Sequence, residues 1–278
     1  VANLNGRTIR ERAQALITVQ VEPTFRRSEL RTLLGWIDAL PEARLDADRF
    51  LGMASAWAGL ALGDDERVAH RLRAVERAVG VTAEAIDRVR ALPPEERGAI
   101  AEVLCVRTSL AFNQMDLPRM MDLSRRARTL LEEGIDGCFN TNLALRGVIA
   151  FDRALGYEYA GQTPAAVEAF EEAVELARAD ENIFLLPMTI SHLAQLRALC
   201  GQLHAAMRIY EDALRIAEGE ATSPLAGMGY TGAAHVLYEW NDLDRAQTYL
   251  ERGLALGELW SNWEILWAGY AGLADIDF

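Results

Sequence analysis

Three stretches of this chain repeat one another without a gap at a constant offset of 40 residues: GQTPAAVEAFEEAV from Gly161, GQLHAAMRIYEDAL from Gly201 and NDLDRAQTYLERGL from Asn241. A fixed period of this length marks a repeat architecture, in which one supersecondary unit stacks on copies of itself. In each copy a Gly or Asn supplies a left-handed turn between two helices. A small residue follows (Ala166, Ala206, Ala246), where the second helix presses on the first. Four positions on, a bulky residue (Phe170, Tyr210, Leu250) fills the gap, and a further small one (Ala173, Ala213, Gly253) comes three later. In the preceding helix Ala154, Ala194 and Ala234 stand 12 residues before the first small position, again where two backbones must approach.

Apolar residues elsewhere recur at helical spacing, in segments rich in Ala, Leu, Arg and Glu with few β-branched runs. An antiparallel helical hairpin cannot bury both faces alone, so stacked neighbours supply the core. The expected fold is all-α, an α-solenoid of tetratricopeptide-like helical hairpins, about five of them plus a C-terminal helix near 260–276. Diverged copies stand at Gly63, with Val68, Leu72 and Val75, and at Met115, with Met120, Ser124 and Ala127. Residues 1–44 do not align and are expected to be lead-in helices or a degenerate hairpin. Residues 45–278 form the superhelix, truncated at its C-terminal end. Residues 36–41 look like a helix end stopped by Pro41, residues 92–96 like a helix start, and Pro164 and Pro224 like first-turn prolines.

Composition removes several function classes. All 28 basic residues are arginine, and with 41 acidic residues the net charge is −13. A chain without lysine has no Walker A loop, no Schiff-base lysine and no kinase-type ATP-pairing lysine. The acidic balance opposes direct nucleic-acid binding, which needs a clustered positive footprint. Cys105, Cys138 and Cys200 are far apart in sequence and read as buried thiols of a reducing, cytoplasmic protein. The longest nearly uncharged apolar stretch, residues 53–63, is about half of the roughly 20 needed to cross a bilayer, so no membrane span is expected. The chain opens at Val1 rather than at a methionine, which suggests a piece of a longer protein.

One motif looks enzymatic. Gly227, Gly229 and Gly232 match GxGxxG, but the residues before them, 217–224, read as a helix end and a loop rather than the strand that a dinucleotide turn requires. Close helix packing is the expected role of these glycines. The histidines His70, His192, His204 and His235 lack metal-ligand spacing, and Cys200 and His204 are separated by the turn at Gly201. Adjacent carboxylates such as Glu171 and Glu172 point to different sides of a helix, and no GxSxG elbow is present. No catalytic residue, metal ligand or cofactor is therefore expected.

A binding surface remains. In a solenoid the first helices of successive hairpins line the concave face. Projecting the repeat frame onto them gives Met53 and Trp57, then Glu102, Cys105, Ser109 and Asn113. Phe151, Glu158 and Tyr159 follow, then Met188, Ser191 and Gln195, and last Met228, Thr231, His235, Tyr238 and Glu239. Aromatic and Met surfaces with a few polar groups suit a groove for an effector or peptide. Burial of many of them between adjacent first helices is the competing reading.

The small-large-small pattern is that of a tetratricopeptide repeat, lengthened from about 34 residues to 40. Residues 32–41, followed by Ala56, Trp57 and residues 62–64, resemble the start of the repeat region of MalT-like, LuxR-family ATP-dependent transcriptional activators. Residues 238–243, then 254–256 and Trp260, resemble a late repeat of the same group. The resemblance implies a non-catalytic sensor and interaction region that binds a small effector or a regulatory protein on the concave face. It also implies adjacent nucleotide-binding and DNA-binding modules in the parent chain. The alternative is a free-standing tetratricopeptide-type protein-protein interaction scaffold. Trp260, Trp263, Trp267 and Tyr270 would give the last helix an aromatic face suited to self-association. Departures from the repeat pattern are Arg153 and Arg197 at or beside first-helix positions usually apolar, and Met115 in place of a turn glycine.

Overall fold

The computed structural model describes residues 9–27, 29–182, 184–219, 226–260 and 263–277. Among the described residues there are fifteen helices and no strand. The chain divides into two units, Val1–Gly156 and Tyr157–Phe278.

Unit 1 opens with α1 (Ile9–Arg26), which packs on α2 (Leu30–Asp38). Pro41 follows the end of α2 and caps the short α3 (Glu42–Ala47). The first hairpin is α4 (Arg49–Ala61) and α5 (Asp65–Val79); the second, after the short α6 (Ile86–Arg90), is α7 (Pro94–Asn113) and α8 (Leu117–Leu131). α4, α5 and α8 start where the sequence supplies a cap: the Asp48, Asp64 and Asp116 carboxylates accept from the amides of Leu51, Arg67 and Arg119 at 3.0–3.1 Å, while α7 starts behind Pro93 without a side-chain cap. α9 (Asn142–Tyr159) begins in this unit. Met53, Leu72, Ile100, Leu104, Met120, Leu145 and Ile149, from α4, α5, α7, α8 and α9, form one continuous core. Val68 and Val75 of α5, and Met120, Ser124 and Ala127 of α8, are buried as the diverged copies require.

Unit 2 holds α10 (Thr163–Ala179), α11 (Leu185–Leu199), α12 (Leu203–Gly219), α13 (Ala226–Glu239), α14 (Leu243–Trp260) and α15 (Trp263–Asp277). Each helix packs on the next, and the first helices run side by side, α11 on α13 and α13 on α15. The repeat frame is realised here atom by atom. Ala166, Ala206, Ala246, Ala194 and Ala234 are fully buried, and Phe170, Tyr210 and Leu250 are buried beside them.

The turns sit where the offset places them. Gly63, Gly161 and Gly201 adopt left-handed φ of 72°, 70° and 76°, and Met115 and Asn241 are forced to 57° and 58°. For an L-residue that conformation costs about 1–2 kcal/mol, so Met115 carries local strain. Gly63 to Met115 spans 52 residues and Met115 to Gly161 spans 46. The excess over 40 is taken up by α6 and by the helix-free residues 132–141, which is why the upstream copies align poorly. Pro164 does stand in the first turn of α10, and Pro94 in that of α7. Pro224 and the loop around it lie outside the described residues. No helix of the described residues is long and apolar enough to cross a membrane.

Candidate functional site

The projected first-helix residues separate into three groups. Asn113, Tyr159, Gln195, His235, Tyr238 and Glu239 are exposed. Trp57, Ser109, Glu158, Met188 and Met228 are half-buried. Met53, Glu102, Phe151, Ser191 and Thr231 are buried, as is Cys105. The division follows the frame: Phe151, Ser191 and Thr231 occupy one repeat position, covered in every copy. Gln195 and His235, four residues on, are open in the two copies of unit 2. Leu199 was not among the projected residues, yet it is 70% exposed. It stands 40 residues from both Tyr159 and Glu239, so the same offset identifies it.

In unit 1 the candidate side chains other than the exposed Asn113 are buried or half-buried, and several of them hold the fold. Glu102 accepts five hydrogen bonds: from Trp57 Nε1 at 2.9 Å, from the amides of Cys138, Phe139 and Asn140 at 2.6, 2.9 and 3.1 Å, and from Asn140 Nδ2 at 2.9 Å. Gly137 lies so close that an added Cβ would sit 2.5 Å from a carboxylate oxygen. Glu102 and Trp57 thus pin the inserted residues 136–140 to α7 and α4. A second insertion is fastened the same way by Glu76, which accepts from the Ala83 amide and from Arg107 Nη2, both at 2.7 Å. Sequence reasoning missed this role for Glu76. Its signal would have been an acid at a buried α5 position just ahead of the insertion. Ser109 Oγ donates to the buried Asp152 at 2.8 Å.

In unit 2 the first helices keep an open face. The end of α9 offers Tyr159, α11 offers Gln195 and Leu199, and α13 offers His235, Tyr238 and Glu239. Beside them lie two half-buried carboxylates, Glu158 on α9 and Glu264 on α15. Burial, then the negative charge of Glu264, pushes Glu158 up to about 7. Burial also raises Glu264, and Tyr210 is raised by burial and by the nearby Glu158. α9 and α15 therefore bring two carboxylates near enough to act on one another, with the Tyr210 hydroxyl of α12 near Glu158. On α15 the Trp267 side chain is 71% exposed, and Tyr270 donates its hydroxyl to Glu258 at 3.0 Å. The side chains of Trp260 and Trp263 lie outside the described residues.

The remaining motifs resolve into packing and ion pairs. Gly227, Gly229 and Gly232 lie inside α13. A Cβ on Gly227 would meet Ile265 at 2.8 Å, one on Gly229 would meet Leu214 at 3.1 Å, and one on Gly232 would collide with the Tyr210 ring. They are contact points between helices, with no strand ahead of them among the described residues. His192 stacks on Phe170 at 5.8 Å, and burial pulls it down to about 4, so it is neutral. His204 lies against Trp240. Among the described residues Glu42, Asp46 and His70 form a three-ligand group. Arg71 already grips Glu42 through two bonds of 2.8 and 3.2 Å and Arg77 reaches Asp46, so the cations there are guanidinium groups. Of the three thiols, Cys105 is buried and Cys138 half-buried; Cys200 is exposed, contrary to the expectation of three buried thiols, because it follows the last turn of α11. Burial raises Cys138 to about 12, leaving it protonated and unreactive at neutral pH. A cleft of about 630 Å³ lined mainly by α12 contains Arg197, Arg208 and Arg215, but Arg197 is held by Glu171 and Arg215 by Asp212.

Comparison with known proteins places these features in a wider group. The family model described as the MalT-like TPR region matches residues 101–278. Among curated proteins no sequence matches. Among solved structures, a signal-transduction ATPase with numerous domains and a tetratricopeptide repeat sensor, from Pyrococcus horikoshii, is similar with a TM-score of 0.61 at 12% identity. That similarity covers 95% of this chain and 38% of the other. A Rap protein complexed with competence and sporulation factor gives a TM-score of 0.60 at 14% identity, over 93% of this chain and 69% of that one. BtubC from P. vanneervenii gives 0.53 at 15% identity, over 92% and 94%.

Proposed function

Since the chain belongs to the family of MalT-like TPR regions, we propose that it is the non-catalytic sensor and interaction region of a transcriptional regulator, and that the first-helix face of unit 2 receives its small effector or regulatory protein. The observation that carries this reading is the split within the repeat frame. The positions that build the hairpins are fully covered, while Tyr159, Gln195, Leu199, His235, Tyr238 and Glu239 recur at equivalent or neighbouring positions and stay open. Rigid aromatic and aliphatic surface ringed by a few polar groups is what an adaptable ligand face needs. The similar Pyrococcus horikoshii protein carries a tetratricopeptide repeat sensor, and the similar Rap protein is complexed with competence and sporulation factor. By analogy, occupancy here would be passed to nucleotide-binding and DNA-binding modules of a parent chain.

The test is a thermal-shift screen of sugars, amino acids, nucleotides and short peptides, repeated on Tyr159→Ala and Tyr238→Ala. A ligand present at 100 times its Kd stabilises by about 2.7 kcal/mol, a shift of a few degrees for a chain of this size. The expected result is a hit that weakens at least tenfold in Tyr238→Ala with helicity unchanged. Hits unaffected by either substitution, and by Gln195→Ala, would move the site off this face.

A further inference from the structure

Between α8 and α9 the repeat frame of unit 1 is interrupted by residues 132–141, which form no helix. Their middle does not loop out into solvent. Gly137, Cys138, Phe139 and Asn140 are half-buried and lie across two of the projected groove residues, Trp57 of α4 and Glu102 of α7. Two glycines permit this approach: a Cβ on Gly98 of α7 would collide with the Asp136 carbonyl oxygen, and one on Gly137 with the Glu102 carboxylate.

The strap 136–140 is held as a bound peptide is held. Glu102 takes the amides of three consecutive residues, 138–140, and the Asn140 carboxamide. Both carboxylate oxygens act as acceptors, the pattern of the ionised group. Phe139 enters an aromatic slot, 5.2 Å from the Phe25 ring of α1 and 5.5 Å from the Phe50 ring of α4. The Gly137 amide donates to the Asn140 carbonyl at 2.9 Å and closes the segment on itself. Its ends are fastened away from the slot. The Asn142 amide donates to Asp136 at 2.7 Å, and the Asn142 carboxamide to the carbonyls of Leu131 and Ile135 at 2.9 and 3.1 Å. Beside the strap, a cleft of about 510 Å³ bounded by Gln14, Arg44, Arg49, Gly137 and Cys138 gives an incoming chain a way to the slot. Lifting the strap strips the buried Glu102 of every donor but Trp57, so a replacement must bring N–H groups to the same place.

We propose that the first-helix groove of unit 1 is a docking slot for a peptide segment of a partner protein, and that residues 136–140 are its resident pseudo-ligand. The partner segment has the chemistry of the strap: a turning chain with free amides, a phenylalanine ring for the slot between Phe25 and Phe50, and a carboxamide beside it. A buried aromatic anchor carries much of the affinity of such contacts, and amides on an ionised carboxylate fix the register. This slot goes beyond the unit 2 face proposed above and does not depend on it.

The test uses the full chain and a fluorescein-labelled peptide with the sequence of residues 135–141, serine standing for its cysteine. The same peptide with alanine for phenylalanine is the control. The tethered strap competes at an effective concentration of about mM order, so the wild-type chain is expected to bind weakly. Phe139→Ala empties the ring slot, leaves Glu102 in place, and is expected to bind the peptide at least tenfold tighter by fluorescence anisotropy. Gly137→Ala presses a Cβ on the Glu102 carboxylate, lifts the strap by another route, and is expected to act alike. In hydrogen–deuterium exchange of the wild type, saturating peptide is expected to speed exchange of the 138–140 amides, which a purely structural loop would not show. Should both variants melt early, that exchange experiment decides alone. The control peptide is expected to bind at least tenfold more weakly, and Tyr238→Ala to leave binding unchanged, which separates this slot from the unit 2 face. Equal binding of the two peptides, binding that leaves 138–140 protected, or no binding to any of the three chains overturns the proposal.

Discussion

Asp152 offers a quantitative check on the packing of unit 1. It is 3% exposed on α9, and its carboxylate accepts from Ser109 Oγ of α7 at 2.8 Å. Burial raises its carboxyl from 3.8 to about 7, against the opposing pull of that hydrogen bond. An acid whose folded value lies above its unfolded value holds its proton more tightly in the folded state. Stability is therefore greatest below about pH 4 and falls as pH rises toward 7, where the folded protein too must ionise. A rise of that size corresponds to about 4 kcal/mol at most. Asp152→Asn keeps the shape and an acceptor for Ser109 and removes the charge. It should match the wild type at pH 4 and exceed it by about 2–4 kcal/mol at pH 8. Urea unfolding at pH 4, 6 and 8 and constant ionic strength reads this directly, with the denaturant slope as a check that the unfolded reference is unchanged. A variant whose stability runs parallel to the wild type across this range would show that Asp152 is solvated and the reasoning mistaken.

Three further substitutions probe the repeat frame and its insertions. Ala206→Leu inserts three carbons into a fully buried helix contact beside Tyr210, Ala194 and Ala233, and should destabilise by about 1–3 kcal/mol; an unchanged melting temperature would contradict the register. Met115→Gly relieves a left-handed residue whose side chain is 59% exposed, and should stabilise by about 0.5–1 kcal/mol after the added unfolded-state entropy, measured by chemical denaturation. Glu102→Ala leaves the Trp57 indole and three loop amides without their acceptor. It should cost about 3 kcal/mol, given about 1–3 kcal/mol per buried unpaired donor with partial rehydration, and should open residues 136–140 to protease.

The hairpin architecture was legible because it is written in a one-dimensional signal. The 40-residue offset located the turns at Gly161, Gly201 and Asn241 and the interhelical alanines Ala166, Ala206 and Ala246, all of which the structure places as expected. The candidate face was legible only where the same offset holds. In unit 2 it led to Tyr159, Gln195, His235, Tyr238 and Glu239, which are open, but equally to Glu158, Met188 and Met228, which are half-buried, and to Ser191 and Thr231, which are buried. In unit 1 the insertions shift the frame, and Glu102 and Ser109 look in sequence like polar groove residues. Their true partners, the amides of residues 138–140 and Asp152, are 36–38 and 43 positions away. Helical periodicity does not reveal whether a polar side chain meets solvent or a loop folded back over it. The glycines of α13 show the reverse case: a pattern that suggests phosphate binding is explained by the residues it touches, Ile265, Leu214 and Tyr210.

The central claim is that ligands meet unit 2 on its first helices. Hydrogen–deuterium exchange of the full chain, with and without a saturating ligand from the screens, tests it most directly. The account predicts new protection in the last turns of α11 and α13, around residues 193–199 and 233–239, with α10, α12 and α14 unchanged on their outer faces. Protection confined to the second helices, or to the α12 cleft around Arg208 and Arg215, would contradict it.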